Sequence, residues 1–305
     1  MINFCGKNFI CLKIRGFLSF KLPEESIRLS KLVKIGVIKV GCIGTLPLIE
    51  ILLDERADRE DIDVRVVGSG AKLGLEQCKE VTEIMIQQKP DLVILIGPAQ
   101  AAPGPTESRK MLIETGIPTI VISDSPAKKI RKNLEKAGLG YIIVEADSMI
   151  GARREFLDPT EMALYNSDVI RVLAGTGVFR LIVKKIDRAI ESIKKEEQPI
   201  LPRVVVDKGL VAANFENPYA GAKAAAAYEI ARHVAAINIE ACFKVHEWKT
   251  YTHLAAAGHE MMRIAAQLAD EAREIEKSGD AVLREPHFKD GALGVKRSLI
   301  EKPKR

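Results

Sequence analysis

The chain of 305 residues carries 46 Lys and Arg against 41 Asp and Glu, a formal charge of +5, and no apolar run reaches the roughly 18 residues that would span a bilayer. Residues 1–32 hold six of the cations against Glu24 and Glu25, while the remaining 273 residues balance 40 against 39, so a nucleic-acid-binding face finds no support and positive potential has to be local. Five cysteines, Cys5, Cys11, Cys42, Cys78 and Cys242, form no C-x-x-C pair, which excludes the usual zinc ribbons and disulfide frameworks and fits a reducing cytoplasm.

The opening MINFCGKNFICLKIRGFLSF is broken by Lys7, Lys13 and Arg15 before an apolar region of signal-peptide length accumulates, so secretion is not expected. Residues 1–32 lack periodicity and read as an upstream extension. From Val33 the pattern is strand, loop, helix, repeated. A strand over Lys34–Val40 ends in Gly41-Cys42-Ile43-Gly44-Thr45, and the helix after it runs to about Glu55. A second strand, Asp63–Val67, is followed by Gly68 and a helix from Leu75 to Gln88; a third covers Asp91–Ile96.

After the third strand comes GPAQAAPGP, Gly97 to Pro105, with a helix opening at Thr106. Three prolines and two glycines without a charged side chain predict a stiff, nearly flat ledge at the carboxyl end of a parallel strand, where open α/β sheets bind planar ligands. A fourth strand, Thr119–Ser123, closes on Asp124-Ser125-Pro126, with Pro126 suited to the first turn of the next helix; a fifth covers Tyr141–Val144. Short β-branched runs alternating with helices predict an α/β fold with a mostly parallel, Rossmann-like sheet, whose loops near Gly41, Gly68, Gly97, Asp124 and Asp147 converge on one crevice.

Beyond Asp147 the composition turns helical. Helices are predicted over Thr160–Leu173 and Gly177–Glu196, a short β-like insertion over Arg203–Asp207, and an alanine-rich helix over Pro218–Ala236. The last helix, His253–Lys277, spaces Leu254, Met261, Leu268 and Ile275 seven apart, with Ile264 or Ala265 and Ala272 between them, which predicts a helix-helix seam within the chain or between copies of it. Gly279 falls where a left-handed cap is expected. The division is thus an extension over 1–32, an α/β ligand-binding domain over 33–150, a helical region over 151–280 and a basic surface tail over 281–305.

Several chemistries lack their residues. Gly41-Cys42-Ile43-Gly44 is G-x-x-G, not the G-x-G-x-x-G of a dinucleotide site, and there is no Walker loop. His259-Glu260-Met261-Met262-Arg263 has arginine where a metalloprotease helix needs its second histidine, so His259 reads as structural. Cys42 reads as a small packed residue, having no base nearby in sequence. Lys128, Lys129, Arg131 and Lys132 read as a solvated helix face, whereas Arg153 and Arg154 can hold anionic ligand tails. What remains suits ligand binding or a reaction that needs mainly alignment, such as hydride transfer between stacked rings.

The segments LLDERADRED (52–61), AQAAPGP (99–105), GLGYI (138–142), GARREFLDP (151–159), TGVFR (176–180), FENPYA (215–220), HEMMR (259–263), LADEAREIEKS (268–278) and DAVLR (280–284) together resemble the archaeal coenzyme F420-dependent methylenetetrahydromethanopterin dehydrogenase family, from about Val33 to Arg297. The leader has no counterpart in that pattern. The resemblance implies reversible hydride transfer between the methylene carbon of methylenetetrahydromethanopterin and the central ring carbon of the deazaflavin F420, in one-carbon metabolism and methane formation from carbon dioxide. It also implies F420 as a dissociable cosubstrate, no metal or flavin, and a homo-oligomer, a hexamer, with the cleft between subunits. On loop convergence, Gly41, Cys42, Gly97, Pro98 and Ala99 are assigned to the deazaflavin platform and Asp147, Met149 and Arg153 to the pterin side. Two other readings stay open at this point: a nicotinamide-dependent oxidoreductase and a non-enzymatic small-molecule-binding regulator.

Overall fold

A computed structural model of the chain describes residues 31–54, 58–148 and 158–305. Six strands, β1 (Val33–Lys39), β2 (Ile62–Gly68), β3 (Leu92–Ile96), β4 (Thr119–Asp124), β5 (Gly140–Val144) and β6 (Arg203–Val206), form one sheet in the order β2-β1-β3-β4-β5-β6. Every pairing is parallel, from Val33 opposite Ile62 at one edge to Val144 opposite Val206 at the other. The predicted parallel α/β fold therefore stands. The chain places β2 outside β1 and then returns to β3 on the other side, so the order reverses between β1 and β3.

Two cores follow from the period-two alternation of the strands. Val33, Ile35 and Val37 of β1, with Leu92, Ile94 and Ile96 of β3, face one layer that includes α1 (Thr45–Asp54), α5 (Pro159–Gly175), α6 (Val178–Lys194), α8 (Pro218–Phe243) and α9 (Trp248–Ser278). Ile38, Val93, Leu95, Val121 and Ile143 point the other way, against α2 (Leu75–Gln87), α3 (Pro103–Thr115) and the short helices of Ser125–Lys136, the second of which is α4 (Arg131–Lys136). A sheet covered on both faces explains why β3 and β5 are buried at every position.

Two local expectations change. The helix after β3 begins at Pro103, not at Thr106, so Pro103-Gly104-Pro105 forms its first turn, where a missing N–H costs nothing. The segment near 203–207, expected as an insertion among helices, supplies β6, hydrogen-bonded to β5 as the sixth strand of the same sheet. α7 (Lys208–Ala212), capped by Asp207, follows it.

The helix seam also differs. α9 buries Ala255, Gly258, Met262, Ala265, Ala269 and Ala272, whereas Leu254, Met261, Leu268 and Ile275 are only half-buried and Ile264 is 50% exposed. Small residues let α9 approach its neighbours closely: a carbon added at Gly175 of α5 would stand 3.1 Å from the Ala269 carbonyl oxygen, and one at Gly258 2.5 Å from Oδ1 of Asn238 on α8. The tight seam therefore runs along the small residues, Ala265 and Ala272 of the expected row included, and the larger side chains of that row lie on its flank. At the end of α9, Asp280 takes the positive φ of 45°, while Gly279 stays at −92°. The segment beyond folds back through isolated antiparallel bridges, Arg284 with Lys296 and Val295 with Lys304. It is tied to the body by His287, 3.0 Å from Asp187.

Candidate functional site

The reversal of strand order lies between β1 and β3, and the loops leaving those two strands touch. A side-chain carbon on Gly97 would stand 2.0 Å from the carbonyl oxygen of Val40, so only glycine lets the two chain segments meet. Gly41, at φ 72°, lies so close to Pro98 that a carbon added there would be 3.1 Å from its ring. Gly41, Gly97 and Pro98 are buried in this contact, leaving Cys42 exposed and Ala99 half-buried at the surface. The expectation of a packed Cys42 is therefore corrected: the turn at Gly41 swings the thiol outward.

The turn over Gly97–Ala102 is rigid for reasons other than its prolines. The Gly97 carbonyl accepts from the Ser123 hydroxyl at 2.7 Å and from the Gln100 amide at 3.0 Å. Arg109, buried on α3, donates to the carboxamide oxygen of Gln100 at 2.8 Å and to its carbonyl at 2.5 Å. Ala99 sits in the left-handed region, at φ 49°, and its N–H donates to Oδ1 of Asp124 at 3.2 Å. Ser123, Gln100 and Arg109 were missed in the sequence. A serine and an aspartate closing an otherwise apolar strand, VISD, were the one signal available.

Asp147, 1% exposed, lies beyond β5 and accepts from the N–H of Gly44 at 2.5 Å and of Thr45 at 2.8 Å. A carboxylate from a distant loop thus caps α1, using the donors and positive end of that helix. Burial raises the Asp147 carboxyl to about 6, against the downward pull of Thr45 and Gly44. Burial likewise raises Asp124, against the downward pull of the Ala99 N–H. Both carboxylates line one narrow crevice with Ile43, Ser125, Pro126 and Ser148, roofed by Ala235 and Ile239 of α8.

The structure thus brings together Gly41, Cys42, Gly97, Pro98, Ala99, Asp124 and Asp147 along the carboxyl edge of the sheet. Gly68 sits one strand outward, against Lys39. Met149 and Arg153 lie outside the described residues. Lys128 pairs with Glu145 at 2.8 Å. His259 is buried, 3.1 Å from Glu161, as a structural histidine would be.

A more capacious cleft, about 490 Å³, lies away from the strand ends between α5, α6 and α9. Its guanidinium groups are already engaged: Arg180 donates to the carbonyls of Asn214 and Leu283, both at 3.1 Å, and Arg171 to Asp168 at 3.3 Å. The strand-end crevice is the better candidate because it opens beside the topological reversal, with Ile43 from the loop after β1, and carries buried carboxylates. Chemically it offers a stiff apolar surface, backbone groups already satisfied, and negative potential able to favour a positive charge forming beside it.

The sequence model of a family described as methylene-5,6,7,8-tetrahydromethanopterin dehydrogenase matches residues 33–304. The F420-dependent methylenetetrahydromethanopterin dehydrogenase of Archaeoglobus fulgidus is 56% identical over 273 residues, covering 89% of this chain and 99% of that protein. Its counterpart in Methanocaldococcus jannaschii is 51% identical over 274 residues, with the same coverage of each. A solved F420-dependent methylene-tetrahydromethanopterin dehydrogenase, in complex with methylene-tetrahydromethanopterin and coenzyme F420, superposes with a TM-score of 0.87 at 46% identity, covering 90% of this chain and all of that one.

Proposed function

Because the chain belongs to the methylenetetrahydromethanopterin dehydrogenase family, we propose that its strand-end crevice is where the two substrates of that reaction meet. The enzyme catalyses hydride transfer between methylenetetrahydromethanopterin and coenzyme F420, giving methenyltetrahydromethanopterin and reduced F420. Coenzyme F420, when bound, supplies the ring carbon that accepts the hydride. Cys42 and Ala99 present the surface for that flat ring, and Gly41, Gly97 and Pro98 hold the surface in place. Asp147, with Met149 and Arg153 shortly after it in the sequence, serves the pterin.

The observation that carries this assignment is the reversal of strand order between β1 and β3, with a close-packed glycine contact at its mouth. That contact suits a planar ligand because glycine lets the two strand-end loops pack directly together, which fixes the surface that Cys42 and Ala99 present. The residues contribute alignment and field. As the methylene carbon loses H⁻, a cation develops on the pterin, and ionised Asp147 and Asp124 lower its energy. The same field disfavours a dinucleotide pyrophosphate, which agrees with the missing G-x-G-x-x-G.

Among the described residues, the thiols of Cys42 and Cys78, neither in a disulfide, support a cytoplasmic setting. Among the described residues no helix is long and apolar enough to cross a membrane. Assembly as a homo-oligomer is supported by exposed Phe243 and Trp248, at the end of α8 and the start of α9, as apolar surface for a second copy; the number of subunits, a hexamer, rests on the family resemblance. The test of the site is Cys42→Phe, assayed by the absorbance of F420 with each substrate varied. A raised KM for F420 with an unaltered KM for the pterin supports the platform; unaltered constants remove Cys42 from it.

A further inference from the structure

Directly after Asp147, the carbonyl oxygen of Ser148 accepts a 2.6 Å hydrogen bond from the hydroxyl of Tyr165, a residue of α5 only 2% exposed. Asn238 of α8, 1% exposed, donates from Nδ2 to the same hydroxyl at 2.7 Å. The Tyr165 ring stacks on His259 of α9, with centroids 4.3 Å apart and planes 20° from parallel. Three helices therefore converge on one phenol whose proton is directed at the backbone beside the site carboxylate.

The directions of these bonds are fixed by their chemistry. A hydroxyl has one proton, and the Ser148 carbonyl can only accept, so that proton goes to Ser148 and a lone pair is left for Asn238. Turning the Asn238 amide over would present an oxygen to that lone pair and pull the proton away from Ser148. Burial raises the Tyr165 hydroxyl far above the ordinary phenol range, so it remains a donor. Neither side chain is among those lining the crevice around Asp124 and Asp147.

We propose that Tyr165 and Asn238 are positioning residues for the pterin side of the crevice, acting through the Ser148 carbonyl on the placement of the Asp147 carboxylate. This rests on the assignment of Asp147 to the pterin. Ser148 follows Asp147 directly, so the bond from Tyr165 adds a second anchor beside the Asp147 N–H bond to the Val144 carbonyl at 3.2 Å, and a displacement of about 1 Å at such a site is enough to cost a large factor in rate. The deazaflavin turn over Gly97–Ala102 is anchored separately, by Ser123, Gln100 and Arg109, and does not depend on this phenol.

Steady-state kinetics on the full chain, with each substrate varied, test the proposal. Tyr165→Phe keeps the ring and its stacking but removes the bond. It is expected to lower kcat/KM for the pterin by about tenfold while the KM for F420 stays within about twofold. Asn238→Ala is expected to change the same constant in the same direction by less. In an Asp147→Ala background, Tyr165→Phe is expected to add less than about twofold, because its route to the substrate is already cut.

Unaltered kinetics in Asp147→Ala would remove the assignment of Asp147 itself. If Asp147→Ala is impaired but a folded Tyr165→Phe shows wild-type constants, loses only thermal stability, or adds its full effect to Asp147→Ala, the positioning role is overturned. Should Tyr165→Phe fail to fold, Asn238→Ala decides alone: a selective loss on the pterin constant supports the role, and unaltered constants overturn it.

Discussion

Ala99, a residue with a β-carbon held at φ 49°, donates its backbone N–H to Oδ1 of Asp124 across 3.2 Å and 25 residues of chain. An L-residue in that conformation costs roughly 1–2 kcal/mol, so the turn persists because its neighbours over-determine it. Asp124→Asn keeps an acceptor for Ala99 and removes the charge. Its melting temperature is expected to stay at or above that of the wild type, since burial disfavours the ionised carboxyl, while kcat towards the methenyl product falls. Asp124→Ala removes both, and is expected to lose about 1 kcal/mol with the half-buried Ala99 N–H left without this partner. Denaturant unfolding and rate measurements on the two variants separate charge from scaffold.

Gly97→Ala puts a methyl group 2.0 Å from the Val40 carbonyl oxygen. Neither backbone can retreat without breaking the ladder between β1 and β3, so the variant is expected to lose at least the roughly 1–3 kcal/mol of ordinary overpacking. Gly116→Ala, by comparison, meets nothing within 4 Å and carries only the strain of its φ of 70°. A melting temperature for Gly97→Ala equal to or above that of Gly116→Ala contradicts the close contact.

The Asp147 carboxyl, raised from 3.8 to about 6, gives stability and activity opposite slopes against pH. Its folded form binds the proton more tightly than its unfolded form. It therefore contributes stability that is fully present below about 3.8 and is lost as pH rises through about 6. Catalysis needs the ionised form, so kcat towards the methenyl product is expected to rise over the same interval. Asp147→Asn should flatten both curves relative to the wild type. A wild-type rate that falls through this window, with stability rising, contradicts the role given to Asp147.

The alanine seam between α8 and α9 makes a further distinction. Ala265→Leu, at a site with no exposure, is expected to cost about 1–3 kcal/mol by overpacking. Ile264→Ser next to it, half exposed, should remain within about 0.5 kcal/mol in the folded monomer. Guanidinium melts of the two variants check the order, and the reverse order would restore the heptad row as the packed face.

How much of this was legible in the sequence depended on the range of the interaction. DLVILI announced a strand buried on both faces, and Asp158-Pro159 and Asn217-Pro218 mark helix starts by local capping chemistry, which the structure shows as side chains accepting from Thr160 and Tyr219. Where two local signals competed, the reading slipped. Pro103-Gly104-Pro105 looked like a loop although proline also suits a first helical turn, and the heptad row gave its larger side chains equal weight with Ala265 and Ala272, which are the buried ones. The crevice was predicted from strand topology, but its supports were not. The bond from Gly44 to Asp147 spans 103 residues and that from Asn238 to Tyr165 spans 73, and neither leaves a periodic trace.

The most direct test is a structure of this chain with oxidised F420 and methylenetetrahydromethanopterin both bound. The account expects the deazaflavin ring in van der Waals contact with Ala99 and Cys42, and the pterin on the side of Asp147. A ternary complex with both rings seated in the arginine-lined cleft between α5, α6 and α9, clear of the turn that begins at Gly97, would contradict it.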